Sequence, residues 1–185
     1  MILIRLSFLM CFFIAANLVV EVTPLLAACE QIKVYTFDDE NYRDWEPHDE
    51  GGDISLGDGF SGKAAKINRI CTDDDDFTAL ELNLPVSVWA GQIIRMDAMV
   101  RGHDIGDKPQ HYNAGYINIE AMTPHGLKNA TDWGLFHGTF DWKAVSYKWQ
   151  IPEDAHNIMI GIGLRGVTGI IYVDNIIIYR CTELE

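Results

Sequence analysis

Residues 145–151 read VSYKWQI, with Val145, Tyr147, Trp149 and Ile151 alternating with Ser146, Lys148 and Gln150. That is the period of a strand with one buried face, and Pro152 stops it. Residues 158–164 repeat the pattern, Ile158, Ile160, Ile162 and Leu164 against Gly161 and Gly163. After a turn spelled RGVTG, the run IIYVDNIIIY at 170–179 predicts a third strand. It carries one acid, Asp174, among residues that belong inside, and a buried acid needs a partner. Upstream, strands are predicted at 33–37 (KVYTF), 63–70 (KAAKINRI), 77–84 (FTALELNL), 93–100 (IIRMDAMV) and 116–122 (YINIEAM), with Pro or Gly as punctuation. No stretch sustains an apolar stripe of helical period, and no strand–helix alternation appears. About eight strands of this kind make an all-β, antiparallel β-sandwich of jelly-roll type.

Alternation also assigns faces. Ile94, Met96, Ala98 and Val100 point inward, and Arg95, Asp97, Met99 and Arg101 outward. Ile117, Ile119 and Ala121 likewise oppose Tyr116, Asn118 and Glu120. Together with Ser146, Lys148 and Gln150, the outward positions offer amides, charges and an aromatic ring. That set suits a sugar, whose apolar face stacks on a ring and whose hydroxyls seek amide, carboxylate or guanidinium partners. The same residues also read as solvated side chains, with Asp97 and Glu120 paired to Arg95, Arg101 or Lys148.

The last third resembles the end of the jelly-roll carbohydrate-binding modules that accompany xylanases and cellulases. The resemblance lies in Trp142 opening a strand, an IP at 151–152 closing it, the GLRGVTG turn and the YVDN of the final strand. It implies non-catalytic glycan binding and a structural calcium ion that ties the first strand, an SGK loop and the last strand together. Carried over by position, Asp38 and Asp174 give side-chain oxygens, and Thr36, Phe60 and Lys63 backbone oxygens. Calcium accepts such an all-oxygen set and would give Asp174 its charge partner. Asp39 and Glu40 follow Asp38, which leaves open which acid ligates. The alternative for Asp174 is a bond to backbone amides or to Lys63.

Five tryptophans divide on the same grounds. Trp142 matches the strand-opening Trp of the modules and Trp149 lies on an inward face, so both are expected in the core. Trp89 precedes a turn at Gly91 and is expected to cap the sandwich edge. Trp45 and Trp133 stand in polar, loop-like sequence, where a large ring asks for a cover. They are the candidates for sugar stacking, with Tyr112 and Tyr116 behind them; the alternative folds each ring back onto the sandwich. The binding set is then Trp45, Arg95, Asp97, Tyr112, Tyr116, Asn118, Glu120, Trp133 and Lys148.

Processing and cysteine chemistry come next. Arg5 precedes the apolar run LSFLMCFFIAANLVV, shorter than a comfortable membrane span, so residues 1–28 read as a secretory signal and 29–185 as one domain. Leu26-Ala27-Ala28-Cys29 also fits a lipoprotein cleavage box, which would place a lipid anchor on Cys29 and leave Cys71 and Cys181 to pair. In the other reading Cys29 pairs with Cys181: if 32–37 runs antiparallel to the last strand with Thr36 opposite Asp174, the two cysteines fall opposite each other and Cys71 is left as a buried thiol. The strand starts only a few residues after Cys29, leaving almost no linker for a lipid, which favours the disulfide.

The chain has 185 residues, 48% of them hydrophobic, and a net charge of -13. That charge repels nucleic acid and anionic membranes and suits a secreted, periplasmic or cell-surface protein. The acidic stretches 46–58 and 73–76 read as solvated loops, either of which could hold a second, weaker cation, and Asn129-Ala130-Thr131 is a glycosylation sequon. The six histidines show no metal-ligand spacing and no nucleophile motif appears. A carboxylate pair of Asp97 and Glu120 on neighbouring strands is the one route to a glycan-processing enzyme. The third alternative is a structural or adhesion protein. Binding without catalysis implies a glycan partner, with any enzyme on that glycan encoded separately.

Overall fold

Twelve strands form among the residues that the computed structural model describes, which are 29–38, 40–70, 76–106, 113–129 and 134–182. They are β1 (Cys29–Tyr35), β2 (Glu46–Asp49), β3 (Gly52–Asp58), β4 (Lys63–Arg69), β5 (Phe77–Asn83), β6 (Ile93–Ile105), β7 (Ala114–Thr123), β8 (Gly126–Asn129), β9 (Gly134–Phe136), β10 (Gly138–Gln150), β11 (Asn157–Arg165) and β12 (Gly169–Cys181). Six make one sheet in the order β10-β6-β12-β4-β3, with β1 also on β12; six make the other in the order β2-β5-β11-β7-β8, with β9 also on β7. All pairings are antiparallel. The signal segment, Cys71, Tyr112 and Trp133 lie outside the described residues.

Each predicted strand forms, and the predicted inward residues meet between the sheets. Ile94, Met96, Ala98 and Val100 of β6 are buried, as are Ile117, Ile119 and Ala121 of β7 and Ile158, Ile160, Ile162 and Leu164 of β11. Tyr147 and Trp149 of β10 pack against this core from the sheet edge. Trp89, in a short helix α1 (Val86–Trp89) between β5 and β6, is buried at the sandwich edge as predicted.

The acidic stretch at 46–58 is a correction. It forms β2 and β3, and the two join opposite sheets, β2 on β5 and β3 on β4. Gly51, at φ 70°, makes the turn between them. Their polar sequence hides them because each is an edge strand, and an edge strand with little to bury shows little alternation.

β12 changes partner midway. Along one side, its residues 169–173 pair with β4 and its residues 176–181 with β1, while β6 runs along the other side. Asp174 and Asn175 sit at the junction, where the β6 register shifts and Asn175 takes φ 49°. That shift explains why both Ile171 and Val173 before it and Ile176 and Ile178 after it are buried.

β1 lies on β12 with Cys29 opposite Cys181, and the two are bonded. A bulge between Gln31 and Lys33 moves the register by one, so that Tyr35 faces Ile176 and the strand stops before Thr36 reaches Asp174. With its sulfur in the disulfide, Cys29 offers no thiol for a lipid in this state. The bond closes a sequence separation of 152 residues. Replacing both cysteines by serine is expected to lower unfolding stability by about 2–4 kcal/mol in non-reducing denaturant titrations; an unchanged midpoint and slope would remove the disulfide from the account.

Candidate functional site

The outer face of the β11 sheet is bare along its middle. β11 turns its isoleucines inward, so its outward positions are Met159, Gly161, Gly163 and Arg165. Register places their neighbours: Gly161 lies between Glu81 of β5 and Asn118 of β7, and Gly163 between Ala79 and Tyr116. Met159 lies between Asn83 and Glu120. The result is a groove of about 150 Å³, with Tyr116, Asn118 and Glu120 on one wall, Phe77 and Glu81 on the other, and Arg165 toward one end. His48 stacks on Phe77 at 4.4 Å and extends the wall.

The two glycines are bare for different reasons. A side chain on Gly163 would run into the backbone of β5, with Ala79 Cα 2.8 Å from the new Cβ, so strand packing dictates that glycine. A side chain on Gly161 would meet Asn118 Oδ1 at 2.6 Å and then the Tyr116 ring at 3.4 Å. Both are side-chain atoms facing the groove, so Gly161 keeps the groove open.

Polar groups converge over that floor. Asn118 is 6% exposed; its Nδ2 donates to Glu120 Oε1 at 2.6 Å, and its Oδ1 is buried without a hydrogen-bond partner. Burial raises the Glu120 carboxyl above the ordinary range and the Glu81 carboxylate adds to this, while Arg165 and the Asn118 bond oppose it. Burial, followed by the Glu81 and Glu120 charges, also raises the Tyr116 hydroxyl, which therefore stays protonated. The groove thus has an aromatic wall and hydrogen-bonding groups of both senses, a combination that suits a hydroxylated ring.

Of the residues proposed from the sequence, Tyr116, Asn118 and Glu120 meet in this groove. Arg95, Asp97 and Lys148 do not, because β6 and β10 belong to the opposite sheet. There Arg95 lies over the Tyr179 ring at 4.0 Å and pairs with Asp97 at 3.3 Å, while Asp97 accepts from Ser146 Oγ at 2.6 Å. Alternation separates inside from outside without saying which sheet is involved, so it merged two opposite surfaces. For the same reason Asp97 and Glu120 are not neighbours, and the proposed carboxylate pair falls.

Two tryptophans are also corrected. Trp45 is 4% exposed and packs edge-on against Tyr35 at 5.4 Å, so it is a core ring rather than a surface stacking platform. Trp142, expected in the core, is half-buried on the outer face of the β6 sheet, where Phe60, Tyr172 and Arg101 surround it. Phe77, Glu81, Gly161 and Arg165 were missed, although the IGIG of β11, an apolar row backed by no side chains, was a readable signal for a groove.

Asp174 is wholly buried at the β12 junction. Its Oδ2 accepts from Ser61 N at 3.0 Å and its Oδ1 from Asn175 N at 2.7 Å; Asp38 Oδ1 accepts from Lys63 N at 2.7 Å. Burial pushes the Asp174 carboxyl up, helped by the Asp38 charge and opposed by the backbone N–H bonds. At Gly59, a Cβ would lie 2.7 Å from the Lys63 carbonyl oxygen and 2.8 Å from Asp174 Oδ2, so two oxygens converge on one point that the glycine leaves clear. This oxygen set fits a hard cation. Among the described residues no three His, Cys, Asp or Glu side chains cluster, so an ion here would depend on two carboxylates plus carbonyls.

No protein-family model and no curated protein matches the chain. Solved structures share its fold. It is similar to the CBM22-1 xylan-binding domain from Paenibacillus barcinonensis Xyn10C, with TM-score 0.58 and 9% identity over 86% of this chain and 99% of that one. It is also similar to the C-terminal family 22 carbohydrate binding module of Clostridium thermocellum Xyn10B, with TM-score 0.60 and 12% identity over 84% and 96%. A third similar structure, a xylan-binding domain from CBM 22, has TM-score 0.58 and 12% identity over 88% and 100%. The chain therefore has the jelly-roll fold of carbohydrate-binding modules, as the end of its sequence suggested.

Glu120 carries a pH signature. A carboxyl raised in the folded state costs stability when ionised, and that cost disappears as pH falls through its folded value. Glu120→Gln is expected to raise the melting temperature at neutral pH, with the gain shrinking on acidification into the ordinary carboxylate range. A gain that is independent of pH would contradict the burial argument.

Proposed function

We propose that this protein binds a carbohydrate chain without cleaving it, seating the chain in the groove over Gly161. The observation that carries the reading is the groove itself: a bare glycine floor between an aromatic wall and convergent amide and carboxylate groups, on the fold of glycan-binding modules. Tyr116 and Phe77 present ring surface to the apolar face of a pyranose, and Asn118, Glu120, Glu81 and Arg165 take its hydroxyls. The names of the similar structures give xylan as their ligand, so xylooligosaccharides belong in the first screen. The Cys29–Cys181 disulfide supports a secreted or cell-surface setting. Among the described residues no helix is long and apolar enough to cross a membrane.

The same reading includes a structural calcium ion, held by Asp38 and Asp174 with the Lys63 carbonyl and, by position, those of Thr36 and Phe60. When bound, it would supply the positive charge that two neighbouring carboxylates at the β12 junction call for. The residues themselves pin the 59–63 loop over the gap between β1 and β4.

Retardation in polysaccharide gels and a glycan array test the binding. Gly161→Val is expected to abolish retention while shifting the melting temperature only slightly, and Asp97→Ala to leave retention intact. Retention that survives Gly161→Val, or is lost in Asp97→Ala, would move the site to the other sheet.

For the ion, calcium added to EDTA-treated protein is expected to raise the melting temperature, and Asp38→Ala to remove that rise. Saturation a hundredfold above Kd is worth about 2.7 kcal/mol. A melting temperature that is indifferent to both treatments would eliminate the ion.

A further inference from the structure

The groove has an excess of acceptors. The outward side chains of β2, β5, β7 and β11 include three carboxylates, from Glu46, Glu81 and Glu120, against one guanidinium, from Arg165. Glu46 lies opposite Glu81 in register, so the acidic row continues toward the sheet edge. Beside it stands a second, independent feature. Asn118 is more than nine-tenths buried, one N–H of its amide goes to Glu120, and its Oδ1 lies against the Gly161 floor with no donor. A neutral hydroxyl would satisfy that oxygen but leave the groove with more carboxylates than the one guanidinium of Arg165 can balance.

Glu81 and Asn118 both adjoin Gly161 from opposite sides. Their Cα atoms are therefore about 10 Å apart, two interstrand spacings, which leaves room for one pyranose ring between their side chains. A substituent directed at the floor of that gap meets Asn118 Oδ1 first and the two carboxylates next. An ammonium group answers all three: it has three donors, no acceptor and one positive charge.

We infer that the groove selects a sugar carrying a free amino group, so that the preferred ligand class is a hexosamine polymer such as deacetylated chitin rather than a neutral xylan or a uronic-acid polymer. This inference rests on the groove being the glycan site. Two properties of the molecule agree with it. The net charge of -13 attracts a polycation at long range, and within the groove the Glu81 charge helps burial to disfavour the ionised form of Glu120.

Isothermal titration calorimetry of the protein with glucosamine, N-acetylglucosamine and xylose oligomers of equal length tests this. The glucosamine oligomer is expected to bind at least about tenfold more tightly than either neutral one. That advantage should shrink with added salt and fall toward parity in Glu81→Gln. Neutral oligomers binding as well as the glucosamine oligomer, through a groove that Gly161→Val closes, would overturn the amino-sugar preference and leave the groove assignment standing. Binding of none of the oligomers would instead overturn the groove assignment, and the preference with it. A glucosamine oligomer that binds equally well to Gly161→Val would reveal diffuse attraction to an acidic surface, and the inference would be wrong.

Discussion

The structure depends on one strand meeting opposite demands on its two faces. β11 runs through the centre of its sheet, and its Ile158, Ile160, Ile162 and Leu164 supply four fully buried side chains to the contact between the sheets. Truncating any one of these to alanine would cost about 2–5 kcal/mol by the usual cavity penalty. The outward positions between them are emptied by Gly161 and Gly163. The first face holds the sandwich together and the second opens a groove above the central strand of its sheet. A site placed on a central strand inherits the order of the core beneath it, which is why the polar groups of β7 and β5 stand in a fixed relation to each other.

The far sheet is organised by a different constraint. β12 serves β6 on one side and β1 and β4 in turn on the other, and a ladder that changes partner leaves backbone groups uncovered at the change. Asp174 is the residue at that point, and its carboxylate takes the N–H groups of Ser61 and Asn175. The loop at 59–63 folds over it, and Gly59 and Gly62 are required because side chains there would collide with Asp174 and Asp38. The acid that looked out of place in an apolar run ties the loop to the last strand, Asp38 ties the segment after β1 to the same loop through Lys63 N, and the disulfide fastens the other end of the β1–β12 ladder.

The sequence made the inside of this molecule legible. Alternation named the buried residues of β6, β7 and β11 correctly because burial between two sheets demands that period and little else. Of the two cysteine readings, the one that set β1 antiparallel to the last strand holds for Cys29 opposite Cys181, apart from a bulge whose local cause is not written in residue types. The outside was harder. Arg95, Asp97 and Lys148 share a period with Tyr116, Asn118 and Glu120, yet strand order, which depends on long-range pairing, sends them to opposite surfaces. Trp45 was expected at the surface and Trp142 in the core, yet the first is buried and the second half-buried on an outer face, since a large ring packs against whichever surface the chain brings to it. The glycines of β11 carried the clearest trace of the groove, legible only to a reading that asks what an absent side chain makes room for.

Chemical-shift mapping of backbone amides during titration with a bound oligosaccharide decides where ligand sits. The account predicts that the perturbed amides cluster on Phe77–Asn83, Ala114–Thr123 and Asn157–Arg165, centred on Gly161. Perturbations centred instead on Ile93–Ile105 and Gly138–Gln150, around Arg95, Asp97 and Trp142, would place the ligand on the opposite sheet and contradict it.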